Sequence, residues 1–284
     1  RRNKPGAQPG IAHDPETKTK PAPGAIRIHC IDYGPERVES TRFDDVDAFL
    51  SSPRPDWSAV RWIDVDGLHA YVIHRIAETF RFHPLAAEDA LHFPQRPKRE
   101  AYDHHLFLVT RMIQVEKDAL VTEQISFFLM KGLLVTFQEA PGDVWEPIRE
   151  RLKVQGSRLR ESGADYLVYT LLDAMVDHFF PVLERYGDIL EDLEKLALTD
   201  ASGEVLRKIH KVKRDLSRLR QVAWPTRELV DSLYRDESPW IGGQTQVFLR
   251  DVHDHAMRIF DLIEAYRETA HILTDLYLSA TSNR

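Results

Sequence analysis

A chain of 284 residues with 43% hydrophobic and 29% charged residues is long enough for one large or two ordinary domains and too apolar to be disordered throughout. Its net charge of −7 argues against a general nucleic-acid binder, so no nucleic-acid partner is expected. The single cysteine, Cys30, excludes an internal disulfide framework, no uninterrupted apolar run approaches the roughly 18 to 20 residues that cross a bilayer, and no secretory signal opens the chain, which reads as soluble and intracellular.

In chain order, residues 1–24 are rich in Pro, Gly, Lys and Thr and read as a mobile tail, giving a first boundary at 1–25. Residues 26–160 mix strand and helix signals. Ile26–Ile31 and Val60–Val65 alternate as half-buried strands do, while Ile73, Ile76, Ala77 and Phe80 have helical spacing. Leu106–Ile113, Gln124–Met130 and Leu133–Phe137 read as sheet, with Lys131-Gly132 as the hairpin turn between the last two. The expectation is an α/β (α+β) unit with a mainly antiparallel or mixed sheet covered by helices.

Residues 161–284 turn nearly all helical, with segments over about 163–198, 203–233 and 245–284. Pro181 is expected to kink the first. The tip of the first hairpin segregates charge: residues 188–204 are acidic and 205–220 basic, which reads as a solvated hairpin paired by opposite charge. In the third helix Leu249, Val252, Ala256, Ile259, Ile263, Tyr266, Ala270, Leu273, Tyr277 and Ala280 alternate steps of three and four, a heptad seam. At 1.5 Å per residue such a helix is about 60 Å long. It is expected to protrude and to offer its seam to a second copy, part of the seam packing on its own chain. No helix stop signal appears within residues 274–284.

Three acidic groups have possible chemistry. Glu88 and Asp89 are neighbours on a helix opened by Pro84, so their carboxylates diverge by about 100° and suit two ions, or an ion and a helix terminus, better than one shared ion. Asp173 and Asp177 share a face at i, i+4, as do Asp251, Asp254 and His255 at i, i+3, i+4. The plain alternatives are a solvated acidic stripe and complementation of a helix dipole. Oxygen donors of this kind suit a weakly held hard cation such as Mg2+, which often takes only one or two carboxylates. No nucleophile, base or phosphate cradle accompanies them, so an enzyme is not expected; a divalent-dependent hydrolase is the distant rival and a purely structural coiled-coil protein another.

Trp62–Leu68, His83–Asp89, Gln95–Lys98, Thr136–Glu139, the segment from Tyr186, Trp224-Pro225, Ser232–Arg235 and Tyr277–Ser279 together resemble the cytoplasmic part of CorA-type magnesium transporters, in order, over about residues 26–284. The resemblance implies an α/β/α sandwich followed by long helices, in a funnel-shaped pentamer whose last helix continues as the first transmembrane segment. On that reading the sequence stops before the crossing, the full protein sits in the cell inner membrane with this portion cytoplasmic, and the tail lies outside the likeness. By motif, Asp89 implies a carboxylate sharing Mg2+ with Asp251 of a neighbouring copy. Glu88 and Asp173 imply a second regulatory site with His255 near it, and Asp275 implies a pore-lining ring. Mg2+ is the implied ion, with Co2+, Ni2+ or Zn2+ as alternatives, and a zinc or cobalt carrier of the same superfamily is the runner-up.

Overall fold

The computed structural model describes residues 10–282 except 200, 201 and 236. Seven strands form one sheet: β1 (Arg27–Tyr33), β2 (Val38–Phe43), β3 (Val60–Asp66), β4 (Lys98–Ala101), β5 (Leu106–Glu116), β6 (Ala119–Met130) and β7 (Leu133–Gln138). Their order is β2-β1-β3-β7-β6-β5-β4. Only β3 and β7 run parallel; every other neighbouring pair is antiparallel. The sheet is therefore mixed, as expected.

Strand alternation sends neighbouring side chains to opposite faces. From β3, Ile63 and Val65 face a layer made by α1 (Val46–Leu50), α2 (Ala70–Phe80) and α3 (Pro84–Leu91). Trp62 faces the other way, toward α4 (Glu146–Lys153), α5 (Arg158–Glu161) and α6 (Ala164–Asp177). The result is the three-layer sandwich. Both core turns of the sheet's long hairpins use left-handed backbone. Gly132 has φ of 66°, and a Cβ there would sit 2.9 Å from the Ala59 carbonyl oxygen, so the position requires glycine. The β5–β6 turn instead places Lys117 and Asp118 at φ of 46° and 66°, the two positive values of a type I′ turn, without a glycine to announce it.

The segment read as a mobile tail is folded from residue 10 onward. Two short 3-10 turns, Ile11–His13 and Pro15–Lys18, lie against α2 and α3. Ile11 is buried in the α2–α3 core, Asp14 caps the second turn by accepting from the Glu16 amide at 2.9 Å, and Lys20 pairs with Asp47 at 2.7 Å. One well-placed isoleucine anchors a segment whose average composition looks unstructured. Residues 1–9 lie outside the described residues.

The helical part consists of α6, α7 (Phe179–Thr199), α8 (Gly203–Tyr234) and α9 (Gly243–Ser282). Pro181 has no amide to give the Asp177 carbonyl, and the first predicted helix is interrupted there, leaving proline in the first turn of α7 where no intrahelical acceptor is lost. By length and composition the stretch Ala164–Thr199 could cross a membrane, which a count of uninterrupted apolar residues had missed; 61% of its window is buried inside the protein, and its apolar residues form core.

The α9 seam is filled by its own chain. Leu249, Val252, Ala256, Ile259, Ile263, Ala270, Leu273 and Tyr277 are all buried, against α7 and α8 over most of the length. Tyr266 is half-buried beside Gly187, where a Cβ would come within 2.7 Å of its hydroxyl. The Tyr277 hydroxyl donates to the Ser202 carbonyl at 2.9 Å, so the α7–α8 tip embraces the far end of α9. The forty-residue helix thus neither stands alone nor needs a second copy for its seam. At the hairpin tip, ion pairs among the described residues run within single helices, Asp192–Lys195 and Glu204–Lys208, rather than across from acidic α7 to basic α8 as charge segregation suggested.

Candidate metal centre

The break after α6 fixes the site. Asp173 and Asp177 sit one turn apart at the end of α6, and α9 crosses beside them. His255 of α9 meets Asp177 at 2.8 Å through Nδ1, and its Nε2 is 4.0 Å from Asp251 Oδ2. One ligand atom from each of Asp173, Asp177 and His255 lies within 4.8 Å of the others. The Phe180 ring meets His255 edge to face and supports the imidazole from α7. Spacing put each acidic pair on one helix face, and the fold turns the two faces toward one another.

Charge is concentrated there. Burial raises the Asp173 carboxyl, and Asp177 raises it further; His255 opposes and Asp251 adds, leaving it pushed up to about 6. The neighbouring Tyr169 hydroxyl is pushed up to about 12, mainly by burial and then by Asp173. A carboxylate held against burial and like charge gains from a cation placed between it and its neighbours. Carboxylate oxygens suit Mg2+, while the imidazole widens the set toward Co2+, Ni2+ or Zn2+.

Glu88 and Asp89 lie elsewhere in the chain. Their helix, α3, starts at Pro84 with the His83 ring accepting from the Leu85 amide, and it packs on the opposite face of the sheet from α6. Glu88 accepts from the Gly10 amide at 2.5 Å. Asp89 is held by Lys98 at 2.6 Å and by the Gln95 amide at 3.1 Å. Their divergence, expected from helix geometry, is realised in these separate partners. Asp275 is exposed on α9, 24 residues beyond Asp251, which is about 36 Å along a helix. The structure therefore gathers Asp173 and His255, with Asp251 at the rim, and leaves Glu88, Asp89 and Asp275 apart from them within one chain.

Asp177 belongs to the gathered group, although the resemblance assigned it no role; its i, i+4 relation to Asp173 was the available signal. The Trp62–Leu68 motif is structural. Its Asp64 is buried and accepts from Thr136 at 2.6 Å, from Gln138 at 2.9 Å and from Arg149 at 2.7 Å, and Arg149 also reaches Asp143.

Residues 57–284 match the model of the CorA-like Mg2+ transporter protein family. The chain is 39% identical over 262 residues to the cobalt/magnesium transport protein CorA of Thermotoga maritima, an alignment covering 91% of this chain and 74% of that protein. Its fold is similar to the soluble domain of CorA from Methanocaldococcus jannaschii, with a TM-score of 0.73 at 17% identity over 89% of this chain and 97% of that one. The ZntB cytoplasmic domain from Vibrio parahaemolyticus gives a TM-score of 0.73 at 16% identity, covering 92% and 100% of the two chains. The family match and the 39% identity carry the assignment, with the two structures agreeing in fold: this chain belongs to the CorA-like family of Mg2+ transporter proteins.

Proposed function

We propose that this chain is the cytoplasmic regulatory part of a divalent-cation transporter, sensing Mg2+ through carboxylates that the ion draws together. The observation that carries the reading is the meeting of Asp173, Asp177 and His255 at the root of the long helix α9. An ion there ties α6, which is packed on the sheet, to α9, which runs on for 27 residues beyond His255. When the ion leaves, like charges are uncovered and the angle between the two helices is free to change, a shift that α9 carries to its far end.

In the assembled protein, which we take to be a pentamer in the inner membrane with this part cytoplasmic, a second contact completes the device. Asp89 faces Asp251 of a neighbouring copy across Mg2+, with Glu88 contributing to the site around Asp173, and five copies of Asp275 form a ring around the pore. Lys98 holds Asp89 in the single chain and would have to yield it. Weak binding suits the role, because a sensor must empty near the working concentration of its ion.

Calorimetric titration with Mg2+, with oligomer mass recorded at each end, tests this on the chain and on Asp173→Ala, Asp89→Ala and Asp251→Ala. Millimolar binding is expected. Asp173→Ala should weaken it at any protein concentration, whereas Asp89→Ala and Asp251→Ala should matter most where the mass has risen. Equal isotherms for all four proteins would return the carboxylates to helix-end complementation. Because His255 adds a nitrogen donor, competition by Zn2+ and Co2+ belongs in the same series; displacement of Mg2+ at far lower concentration would favour a carrier of those ions.

A further inference from the structure

On the side of the molecule where α8 passes the β5–β6 surface, a cavity of about 580 Å3 opens to solvent. Four arginines line it. Arg96 and Arg111 stand on the sheet side and Arg218 and Arg220 on α8. No aspartate or glutamate is among its described lining residues, in a chain whose net charge is −7. Trp224 forms part of the wall, held by the Arg227 guanidinium at 4.1 Å and by the edge of Phe260 at 5.1 Å.

The cations are incompletely neutralised. Arg218 is 3.9 Å from Asp215, and Arg220 reaches Glu264 at 2.8 Å. Arg111 is half-buried and donates to the Thr122 hydroxyl at 2.8 Å, but no carboxylate lies within ion-pair distance of Arg111 or Arg96 among the described residues. Burial lowers the Arg111 pKa and the one opposing charge acting on it, Glu139, lies beyond ion-pair distance, so an anion supplied from outside lowers the cost of holding that guanidinium half-buried. Guanidinium groups bind phosphate oxygens bidentately, and aromatic walls accept a planar base.

We propose that this groove binds a small polyphosphate anion, with a nucleoside di- or triphosphate lying along the arginines and its base against Trp224. The cavity is in the size range of organic ligand sites and too large for one orthophosphate, and its cations are spread over two walls rather than focused on a point. The site shares no residue with the carboxylate cluster and does not rest on the transport reading.

Calorimetric titrations of the whole chain in EDTA, so that no divalent ion contributes, would use ATP, pyrophosphate and inorganic phosphate as probes. ATP and pyrophosphate should bind one to one and orthophosphate far more weakly. Arg96→Gln and Arg218→Gln, both exposed and so tolerable to the fold, should each weaken ATP about tenfold, while Arg37→Gln on the distant sheet edge should not. Trp224→Leu separates the two sources of the anion. Loss of ATP affinity with pyrophosphate unchanged supports a nucleotide; no change in either supports a free polyphosphate. Absence of binding by both ATP and pyrophosphate would overturn the proposal. So would a double Arg96→Gln/Arg218→Gln variant that binds as the parent does, or Arg37→Gln weakening binding as much as the groove variants.

Discussion

Asp173 shows how one residue can cost stability and still be useful. Burial disfavours its charged form, Asp177 lies one turn away, and the carboxyl is pushed up from 3.8 to about 6. Between those two values the folded chain holds more protons than the unfolded chain. Stability contributed at this position therefore falls as pH rises from about 4 to about 6 and then levels off. Asp173→Asn removes the ionisation. At neutral pH the variant should be more stable than the parent by about 1 kcal/mol, the shift being discounted for the residue's partial exposure, and the two should converge near pH 4. Urea denaturation at both pH values checks this. On the proposed function, Mg2+ and protons would compete for the same oxygens, and the parent's Mg2+ affinity should then drop as pH falls through about 6. Equal destabilisation of Asp173→Asn at both pH values would instead make Asp173 a structural hydrogen-bond acceptor.

At the scale of elements, α9 divides sharply between a face its own chain uses and a face it does not. Ile263 is fully buried in the core with α7 and α8, while Ile272, little more than two turns further on, is 59% exposed. Ile263→Ala should cost about 2–4 kcal/mol of unfolding free energy, whereas Ile272→Ala should stay within about 0.5 kcal/mol in the isolated chain. A large cost at Ile272 would show that the exposed face is already packed in solution, which concentration-dependent unfolding would reveal. This division explains what could be read from the sequence. The heptad seam was legible because burial leaves a period, but a period does not say whose residues fill it. Central strands β1, β3, β5, β6 and β7 announced themselves by alternation or by unbroken apolar runs. The edge strand β2, Val38–Phe43, has no buried residue and β4 has only four residues, so neither carries a pattern, and pairing alone defines them. The Asp173–Asp177 and Asp251–His255 pairs were visible as helix faces. Their meeting across α6 and α9, and the anchoring of the tail by Ile11, depend on tertiary packing that no local spacing encodes.

Across the whole molecule, the uncovered face of α9 determines how copies of the chain can approach. Asp251, Asp254, Asp261, Glu268 and Asp275 are all exposed along it, and Arg250, Arg258 and His271 are the exposed basic groups beside them. If copies gather around an axis through these helices, like charges converge and oppose assembly. Monovalent salt relieves such repulsion by screening, whereas a divalent ion also bridges carboxylates directly. The two can be separated by sedimentation of the chain in millimolar Mg2+ and in NaCl matched for ionic strength. Mass should rise more in Mg2+ than in NaCl. Asp251→Asn should lose most of the Mg2+-specific increment while keeping the response to NaCl, and Asp254→Asn, which is not among the residues proposed to bind the ion, should keep both. An identical rise in the two salts would leave only diffuse screening, and the ion would then not act as a bridge between copies.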